Sequence, residues 1–399
     1  MLIWSNLHLK ISMKKIFFGV IAFVVLVIAA LWISGYGFIL TAVSRTYLAG
    51  HPTANIDDYK TFDTRVVESS ELQEWPLDNR YELNSLPVDF AENLAKDKSV
   101  AFLVVKDGKL LEEQYFEGYG PQSKTNSFSM AKTVLTMMLG IAIQEGYIES
   151  VDQKIVDFLP EFENDQFGKN ATIGSLSKMT SGYDWDESYY SPFSPTVELY
   201  YGNDVQDFLL NRSFTKAEDT EYYYSSASTQ LLAITLSRAI QKKNPYWNLS
   251  VFLSEKLWKP LGMDADALWH LDEQGMELAY CCINTNVRNF AKLGQLLLQN
   301  GKWENKQIID SSYIALMHTT EKVSNYGYST WIQNDNAPNN FYYFRGHLGQ
   351  YIIIVPNQNM VVVRLGESRE YEDEANLIKV LNAYVNEMAS LAETKEAIK

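Results

Sequence analysis

The most hydrophobic stretch of the chain lies near its start and follows two lysines. Residues 16 to 33 are apolar or small and carry no charge, Met13-Lys14-Lys15 precedes them, and the next charge is Arg45. A run of this length can span a bilayer, and lysines are enriched on the cytoplasmic side of such spans. The pattern predicts a signal anchor over residues 13 to 40. It would hold the rest of the chain on the periplasmic side of the inner membrane.

The alternative is a leader that is cleaved during export. A signal peptide usually has a shorter apolar region that ends at a small-x-small cleavage site, and no convincing site follows here. Residues 1 to 12 carry no pattern of their own, whereas Met13-Lys14-Lys15 is typical of the start of an export signal. Our hypothesis is that translation begins at Met13 rather than at Met1.

Beyond this anchor, apolar runs bounded by turn residues predict strands at both ends of the chain. Residues 41 to 95 are polar with scattered prolines, and they predict a linker that becomes an irregular N-terminal cover. An Asp107-Gly108 pair then suits the tight turn of a hairpin. The predicted strands cover residues 100–105, 109–116, 341–345, 350–355 and 360–365.

Helical patterns fill the middle of the chain and close it. They cover residues 129–146, 205–210, 229–241, 249–257, 287–300 and 372–389. This order predicts an α+β fold, in which an antiparallel sheet is flanked by terminal helices and a mostly helical lobe is inserted. We expect one domain over residues 96 to 390, with the helical lobe at about 130 to 300 and a tail at 391 to 399. The cleft between the lobes is the expected site.

The first of these helices carries the strongest candidate chemistry. Ser129 and Lys132 are three residues apart, so on a helix they share one face, with Cβ atoms about 5–6 Å apart. The helix that follows is apolar almost all the way round, which is typical of a buried helix. Burial lowers the pKa of a lysine from about 10.4 toward the range of a useful base. The pair predicts an activated serine, and the alternative is a lysine that extends to the surface.

The Ser-x-x-Lys spacing is not unique in this chain. It begins at Ser12, Ser129, Ser175 and Ser213. Ser12 lies in the leader, and Ser213 lies in a polar, irregular run. Ser175 is the stronger rival, but its segment is one short amphipathic turn whose lysine is expected to face solvent. Context therefore favours Ser129.

Composition narrows the class of protein. The chain has 399 residues, of which 46% are hydrophobic, and a formal net charge of -15. Such a chain can form a substantial core, and its charge opposes binding to nucleic acids. The histidines lack metal-ligand spacing and no Gly-rich phosphate loop occurs, so we expect neither a metal nor a cofactor. Cys281 and Cys282 are adjacent, and because a disulfide between neighbours is strained, we expect two small, unpaired, buried residues.

Two further motifs follow the Ser-x-x-Lys pair. Tyr224-Ser225-Ser226 places hydroxyls just before a helix, and Gly346-His347-Leu348-Gly349 precedes a strand. With Phe128-Ser129-Met130-Ala131-Lys132, in this order and spacing, they resemble the serine β-lactamase and penicillin-binding-protein superfamily. The similarity is greatest to its class C-like esterases and 6-aminohexanoate-dimer hydrolases, and it covers roughly residues 97 to 390.

The resemblance implies roles for particular residues. Ser129 would be the acylated nucleophile, Lys132 its base, and Tyr224 the proton-relay tyrosine. His347, with Leu348 and Gly349, corresponds to the Lys-Thr-Gly strand motif of the family. The backbone N–H groups of Ser129 and Gln350 would form the oxyanion hole.

The chain departs from the family pattern at two positions. Ser226 stands where the Tyr-x-Asn motif has Asn, and His347 stands where the strand motif has Lys. Because His is a poorer anchor for a substrate carboxylate, a typical β-lactam substrate is in doubt. The loop at residues 183 to 190 resembles the aromatic loop of the dimer hydrolases, so Tyr189 would close over the substrate, with Trp185 beside it. Aromatic packing of the cleft wall is the alternative.

These observations predict an extracytoplasmic serine hydrolase that acts on a small amide or ester without metal or cofactor. Its expected partners are a small-molecule substrate and the membrane, and no nucleic acid. One rival interpretation is a penicillin-binding-like sensor or interaction ectodomain that does not turn over. Another is a D-Ala-D-Ala carboxypeptidase or a β-lactamase.

Overall fold

The computed structural model describes residues 13–189, 191–320, 325–333, 340–368 and 373–397. The expectations for residues 1 to 12 and for the last two residues of the tail lie outside these ranges. The helices are α1 Met13–Ile33, α2 Phe38–Arg45, α3 Val88–Lys96, α4 Met130–Gln144, α5 Ile173–Ser177, α6 Pro195–Tyr201, α7 Val205–Leu210, α8 Ser226–Lys243, α9 Leu249–Leu253, α10 Val287–Leu298, α11 Ser311–Met317 and α12 Glu374–Ala397.

The strands form three sheets within the described ranges. They are β1 Thr64–Val67, β2 Leu77–Leu83, β3 Ser99–Lys106, β4 Lys109–Tyr115, β5 Thr125–Asn126, β6 Ala267–His270, β7 Ile283–Thr285, β8 Lys302–Trp303, β9 Lys306–Gln307, β10 Trp331–Gln333, β11 Phe341–Gly346, β12 Gln350–Val355 and β13 Met360–Gly366. The main sheet has the order β10-β11-β12-β13-β3-β4-β2, a small sheet has the order β1-β6-β7-β5, and β8 pairs with β9.

The main sheet joins the two ends of the chain. Strand β13 lies antiparallel to β3, with Val362 opposite Val104, so strands that are far apart in sequence become neighbours. Both strands are buried almost throughout, because helices cover both faces of the sheet. Apolar residues of α12, such as Leu381 and Val385, pack on one face, while α10 and α4 lie on the other. The predicted α+β architecture is confirmed.

Helices α4 and α8 form the centre of the inserted lobe. Every residue of α4 from Met130 to Ala142 is buried, as the all-round apolar pattern predicted. Helix α8 begins after Ser225, whose hydroxyl accepts a hydrogen bond from the backbone N–H of Ser228 at 3.1 Å. This cap satisfies one of the unpaired donors at the helix start. It also fixes Tyr224 and Ser226 beside the N-terminal end of the helix.

The region from residue 41 to 95 is more regular than its polar composition predicted. It contains α3 and most of α2, and its strands β1 and β2 pair with distant partners. Strand β1 lies antiparallel to β6, whereas β2 lies parallel to β4 at the edge of the main sheet. Short edge strands carry little pattern of their own, since their order comes from backbone pairing with strands that the local sequence does not reveal. The expectation of an irregular cover is therefore wrong for these segments.

Candidate active site

Ser129 lies at the turn between a short strand and the buried helix. Strand β5 ends at Asn126, whose side-chain oxygen accepts a hydrogen bond from the backbone N–H of Phe128 at 2.9 Å. Phe128 has a φ of 43°, which is uncommon for a non-glycine residue and marks a tight turn. Helix α4 then begins at Met130, so Ser129 is its N-cap residue and is half-buried. The turn places the hydroxyl of Ser129 at the N-terminal end of α4.

Lys132 lies one turn further along and is fully buried. Its Nζ is 3.1 Å from Ser129 Oγ, 3.1 Å from Ser226 Oγ and 2.9 Å from the carbonyl oxygen of Tyr280. Burial lowers the pKa of the Lys132 amine to about 8, and the negative charge of Glu187 opposes this shift. A neutral amine in this position has a lone pair that can take the proton of Ser129.

The rival Ser-x-x-Lys segments have different partners. Lys178 forms an ion pair with Asp219 at 3.0 Å, and Ser175 Oγ donates to the carbonyl oxygen of Thr172 at 2.8 Å. In the segment that begins at Ser213, Lys216 forms an ion pair with Glu221 on the surface. Ser12 lies outside the described residues.

Tyr224 borders the same amine. The centroid of its ring is 5.1 Å from Lys132 Nζ, and its ring stacks on Trp331 with centroids 5.7 Å apart. Tyr326 packs against both rings, at 5.9 Å from Tyr224 and 4.8 Å from Trp331. These contacts hold the tyrosine beside the lysine. Its role as a proton relay remains a prediction.

His347 and Gly349 belong to a tight turn between β11 and β12. The ring of His347 packs edge-on against Phe128 at 5.4 Å, which places it next to the nucleophile. Gly349 has a φ of 78°, and a side chain there would collide with the buried guanidinium of Arg364. Arg364 Nη1 donates to the carbonyl oxygen of Gly349 at 2.7 Å and so fixes the turn. The side chain of Gln350 bonds to the carbonyl oxygen of His347 at 3.0 Å, so its predicted contribution would come from its backbone N–H.

The loop at residues 183 to 189 supplies a carboxylate that we did not predict. Glu187 accepts hydrogen bonds from Trp185 Nε1 at 2.6 Å, from Ser226 N at 2.8 Å and from Ser226 Oγ at 2.6 Å, and also from the hydroxyl of Tyr189. The ring of Tyr189 also stacks on that of His347 with centroids 6.1 Å apart. Trp185 is buried, with its indole N–H on this carboxylate.

Two of these partners could not be identified from the sequence. Glu187 lies in an acidic loop with Asp184 and Asp186, and nothing in the order of residues distinguishes it from its solvent-exposed neighbours. The carbonyl oxygen of Tyr280 is a backbone group, which carries no side-chain signal at all. A hydroxyl at Ser226 in place of an amide was the one hint that a further partner is needed there.

The cysteines differ from expectation. Cys281 and Cys282 are both buried, but their sulfurs are bonded to each other. Cys282 has a φ of 79°, which lies in the left-handed region. The expectation of two unpaired residues is therefore wrong. Within the described ranges, no group of three or more His, Cys, Asp or Glu side chains is placed to hold a metal ion.

Known proteins resemble this chain in sequence and in fold. A 6-aminohexanoate-dimer hydrolase of Paenarthrobacter ureafaciens is 24% identical over 237 residues, which cover 57% of this chain and 58% of that protein. The chain thus spans little more than half the length of this curated relative. A Bacillus anthracis protein named provisionally as a 6-aminohexanoate-dimer hydrolase matches in structure with a TM-score of 0.71 and 22% identity, over 88% of this chain and 94% of that one.

A class C β-lactamase also shares the fold. It matches with a TM-score of 0.55 and 17% identity, over 74% of this chain and 92% of that one. At the level of sequence, a profile of the Beta-lactamase family matches residues 90 to 385, which is most of the domain that we expected at residues 96 to 390. The chain belongs to the β-lactamase family of serine hydrolases.

Proposed function

We propose that this protein is a membrane-anchored serine hydrolase that cleaves a small amide or ester through a covalent acyl-Ser129 intermediate. The observation that carries the proposal is the 3.1 Å contact between Ser129 Oγ and the buried amine of Lys132. A serine hydroxyl is a weak nucleophile until an adjacent base accepts its proton. Lys132 is such a base, because its lowered pKa leaves part of the amine neutral near pH 7 to 8.

The steps follow from this arrangement. Neutral Lys132 accepts the proton of Ser129 as Oγ attacks the carbonyl carbon of the substrate. The N–H groups of Ser129 and Gln350 stabilise the oxyanion that forms. Tyr224 gives its proton to the leaving amine or alcohol and takes the proton held by Lys132. Water then attacks the acyl carbon, its oxygen stays with the acid that leaves, and one of its protons returns to Ser129 Oγ. Acyl transfer is thereby divided into two easier steps.

The strand motif and the aromatic loop limit the class of substrate. His347 replaces the strand lysine of the family and offers a weaker anchor for a carboxylate. Its ring stacks on Tyr189, which is 51% exposed at the mouth of the site. An aromatic entrance of this kind suits a slender amide or ester better than a bicyclic β-lactam. The sequence relative from Paenarthrobacter ureafaciens, named for a linear amide, supports the same class of substrate.

The proposed location outside the cytoplasm rests on α1. This helix has 21 residues, a mean hydropathy of 3.0 over its most apolar window, and no buried residue in the structure. A helix of this length and composition can cross a membrane, although a signal sequence has the same properties. Membrane fractionation of the native protein would distinguish them, because an anchored protein stays with the membrane after a high-salt wash.

The covalent step is tested by labelling with a fluorophosphonate probe. We expect one adduct, located by peptide mass at Ser129, which disappears in Ser129→Ala. The matched control is Ser175→Ala, which removes the serine of the rival motif and should leave labelling unchanged. An adduct that persists in Ser129→Ala, or no adduct at all, would contradict the proposal.

The same preparation separates turnover from binding alone. We expect hydrolysis of p-nitrophenyl esters and of a linear dipeptide-like amide, with weak or no hydrolysis of a chromogenic β-lactam or a D-Ala-D-Ala peptide. A stable adduct without turnover of any of these would favour the sensor or interaction module instead.

A further inference from the structure

The carboxylate of Glu187 is saturated with hydrogen-bond donors. One oxygen accepts from Trp185 Nε1 and from the backbone N–H of Ser226, and the other accepts from Ser226 Oγ and from the hydroxyl of Tyr189. A carboxylate has about four acceptor positions, and four donors use them. Glu187 therefore has no free position with which to hold a substrate. Its function must lie in what it does to its neighbours.

The direction of the hydrogen bond through Ser226 follows from this. A carboxylate can accept a hydrogen bond but has no proton to donate, so the hydroxyl of Ser226 donates its hydrogen bond to Glu187. Toward Lys132 Nζ, 3.1 Å away, the same hydroxyl can act as an acceptor alone. Neutral Lys132 has two N–H groups, and they are used by Ser226 Oγ and the carbonyl oxygen of Tyr280. Its lone pair is left facing Ser129 Oγ.

We propose that Glu187 is a positioning residue for the base, acting through Ser226 to aim the lone pair of Lys132 at Ser129. It does not touch the reacting atoms. The inference rests on the proposed function, since it assumes that Lys132 takes the proton of Ser129. In that step the O–H bond of Ser129 breaks and an N–H bond forms on Lys132, while Glu187 stays a carboxylate throughout. Its charge then faces the new ammonium across a single hydroxyl.

This arrangement also accounts for the departure from the family motif. An Asn at position 226 would present a carbonyl oxygen to the lysine by itself, whereas a hydroxyl can either donate or accept. Toward Lys132, Ser226 can act only as an acceptor when its hydroxyl already donates a hydrogen bond to a carboxylate. Glu187 and Ser226 together thus supply the acceptor that an amide oxygen at position 226 would supply by itself. The charge has a second effect, because it raises the pKa of Lys132 against the lowering caused by burial.

The test is the kinetics of Glu187→Gln on a p-nitrophenyl ester. The amide NH₂ of Gln can donate a hydrogen bond to Ser226 Oγ. The hydroxyl of Ser226 can then donate its own hydrogen bond to the lone pair of Lys132, where it competes with the hydroxyl of Ser129. We expect kcat to fall at least about tenfold, a part of the ~10²–10⁴-fold that a positioned base contributes, with a smaller change in KM. The ascending limb of the pH profile should move to lower pH, because the amine loses a neighbouring negative charge. A purely structural role would not move this limb.

The matched control is Asp184→Asn, which removes one negative charge from the exposed part of the same loop. Its kcat and pH profile should equal those of the parent. If Glu187→Gln behaves like this control, or changes KM alone, the inference is wrong. If the parent protein does not form an adduct on Ser129, the proposed function fails and the inference fails with it. If the parent forms the adduct and Glu187→Gln matches the control, the inference fails by itself.

A second variant tests the connection between the two residues. Ser226→Ala removes the bridging hydroxyl but keeps the backbone N–H that Glu187 binds. We expect a loss in kcat of similar size, and the double variant Ser226→Ala with Glu187→Gln should be no slower than Ser226→Ala. Losses that multiply would overturn the inference, because the two residues would then act separately. Should Glu187→Gln fail to fold, an unchanged kcat in Ser226→Ala would overturn it as well.

Discussion

Two Ser-x-x-Lys segments of this chain have the same spacing but different surroundings. In the first, Ser129 precedes α4 and Lys132 lies inside it, so the amine is buried beside the hydroxyl. In the second, Ser175 lies inside the five-residue helix α5 and Lys178 follows the end of that helix. The hydroxyl of Ser175 is buried, yet it already donates to a backbone carbonyl within its own turn. The same four-residue pattern thus gives one pair in which the amine contacts the hydroxyl, and one in which the two groups bind other partners.

The difference lies in what the two lysines face. Lys178 reaches Asp219, and its side chain is only 12% exposed, so the expectation that it faces solvent is wrong; the ion pair with Asp219 holds its charge. Lys132 has no carboxylate in direct contact among the described residues, since Glu187 acts on it from beyond Ser226. A buried amine that is hydrogen-bonded but not directly paired loses its proton more easily. The two segments thus differ in the partner of the lysine, although the spacing between serine and lysine in the sequence is the same.

The largest expected effect separates the two lysines directly. Lys132→Met should lower kcat for ester hydrolysis by about 10²–10⁴-fold, because the base is lost while an apolar chain of similar length fills the site. Lys178→Met, the matched control, should leave kcat within about twofold. Steady-state kinetics on both variants, with circular dichroism to check the fold, measures this. Equal losses in the two variants would abolish the distinction between the segments.

A smaller effect is expected from pH. The pKa of Lys132 is lowered to about 8, and the amine is a base only when neutral, so kcat/KM should rise with pH and level off above about 8. One unit below this pKa the rate should be about tenfold lower, since the neutral fraction falls tenfold per unit. A profile on an ester whose leaving group does not titrate in this range measures the limb. A rate that is flat from pH 6 to 9 would show that another group limits the reaction.

The smallest effect concerns the ion pair of the rival segment. Asp219→Asn removes the charge opposite Lys178 but keeps a side chain that tolerates the left-handed backbone of this position, where φ is 59°. The free energy of unfolding should fall by less than about 1 kcal/mol, as is usual for exposed pairs. Fluorophosphonate labelling at Ser175 should remain absent, because its hydroxyl is still committed to the backbone. Urea denaturation measures the free energy of unfolding, and peptide mass analysis measures labelling of Ser175. A new adduct at Ser175 would show that the ion pair alone keeps this serine unreactive.

Much of the main sheet and of the inserted lobe could be predicted from local pattern. The hairpin of β3 and β4 follows from its Asp107-Gly108 turn, and α4 follows from its all-round apolar composition. The edge strands β1 and β2 were missed, because their order depends on β6 and β4. The site shows the same division. Ser129 and Lys132 share one helix turn, so their approach is local, whereas Glu187 reaches them from a loop more than fifty residues away in sequence.

The sequence by itself determined the elements whose reasons are local: the apolar helices, the hairpin, and a serine and lysine on one helical face, because helix periodicity and turn chemistry act over a few residues. The tertiary structure decided which of the Ser-x-x-Lys motifs has a fully buried amine beside its serine, and it brought Glu187, Ser226 and the carbonyl oxygen of Tyr280 around it. Burial and hydrogen-bond direction depend on what distant segments place beside a group. Burial by these distant segments, rather than the spacing of the motif, lowers the pKa of Lys132.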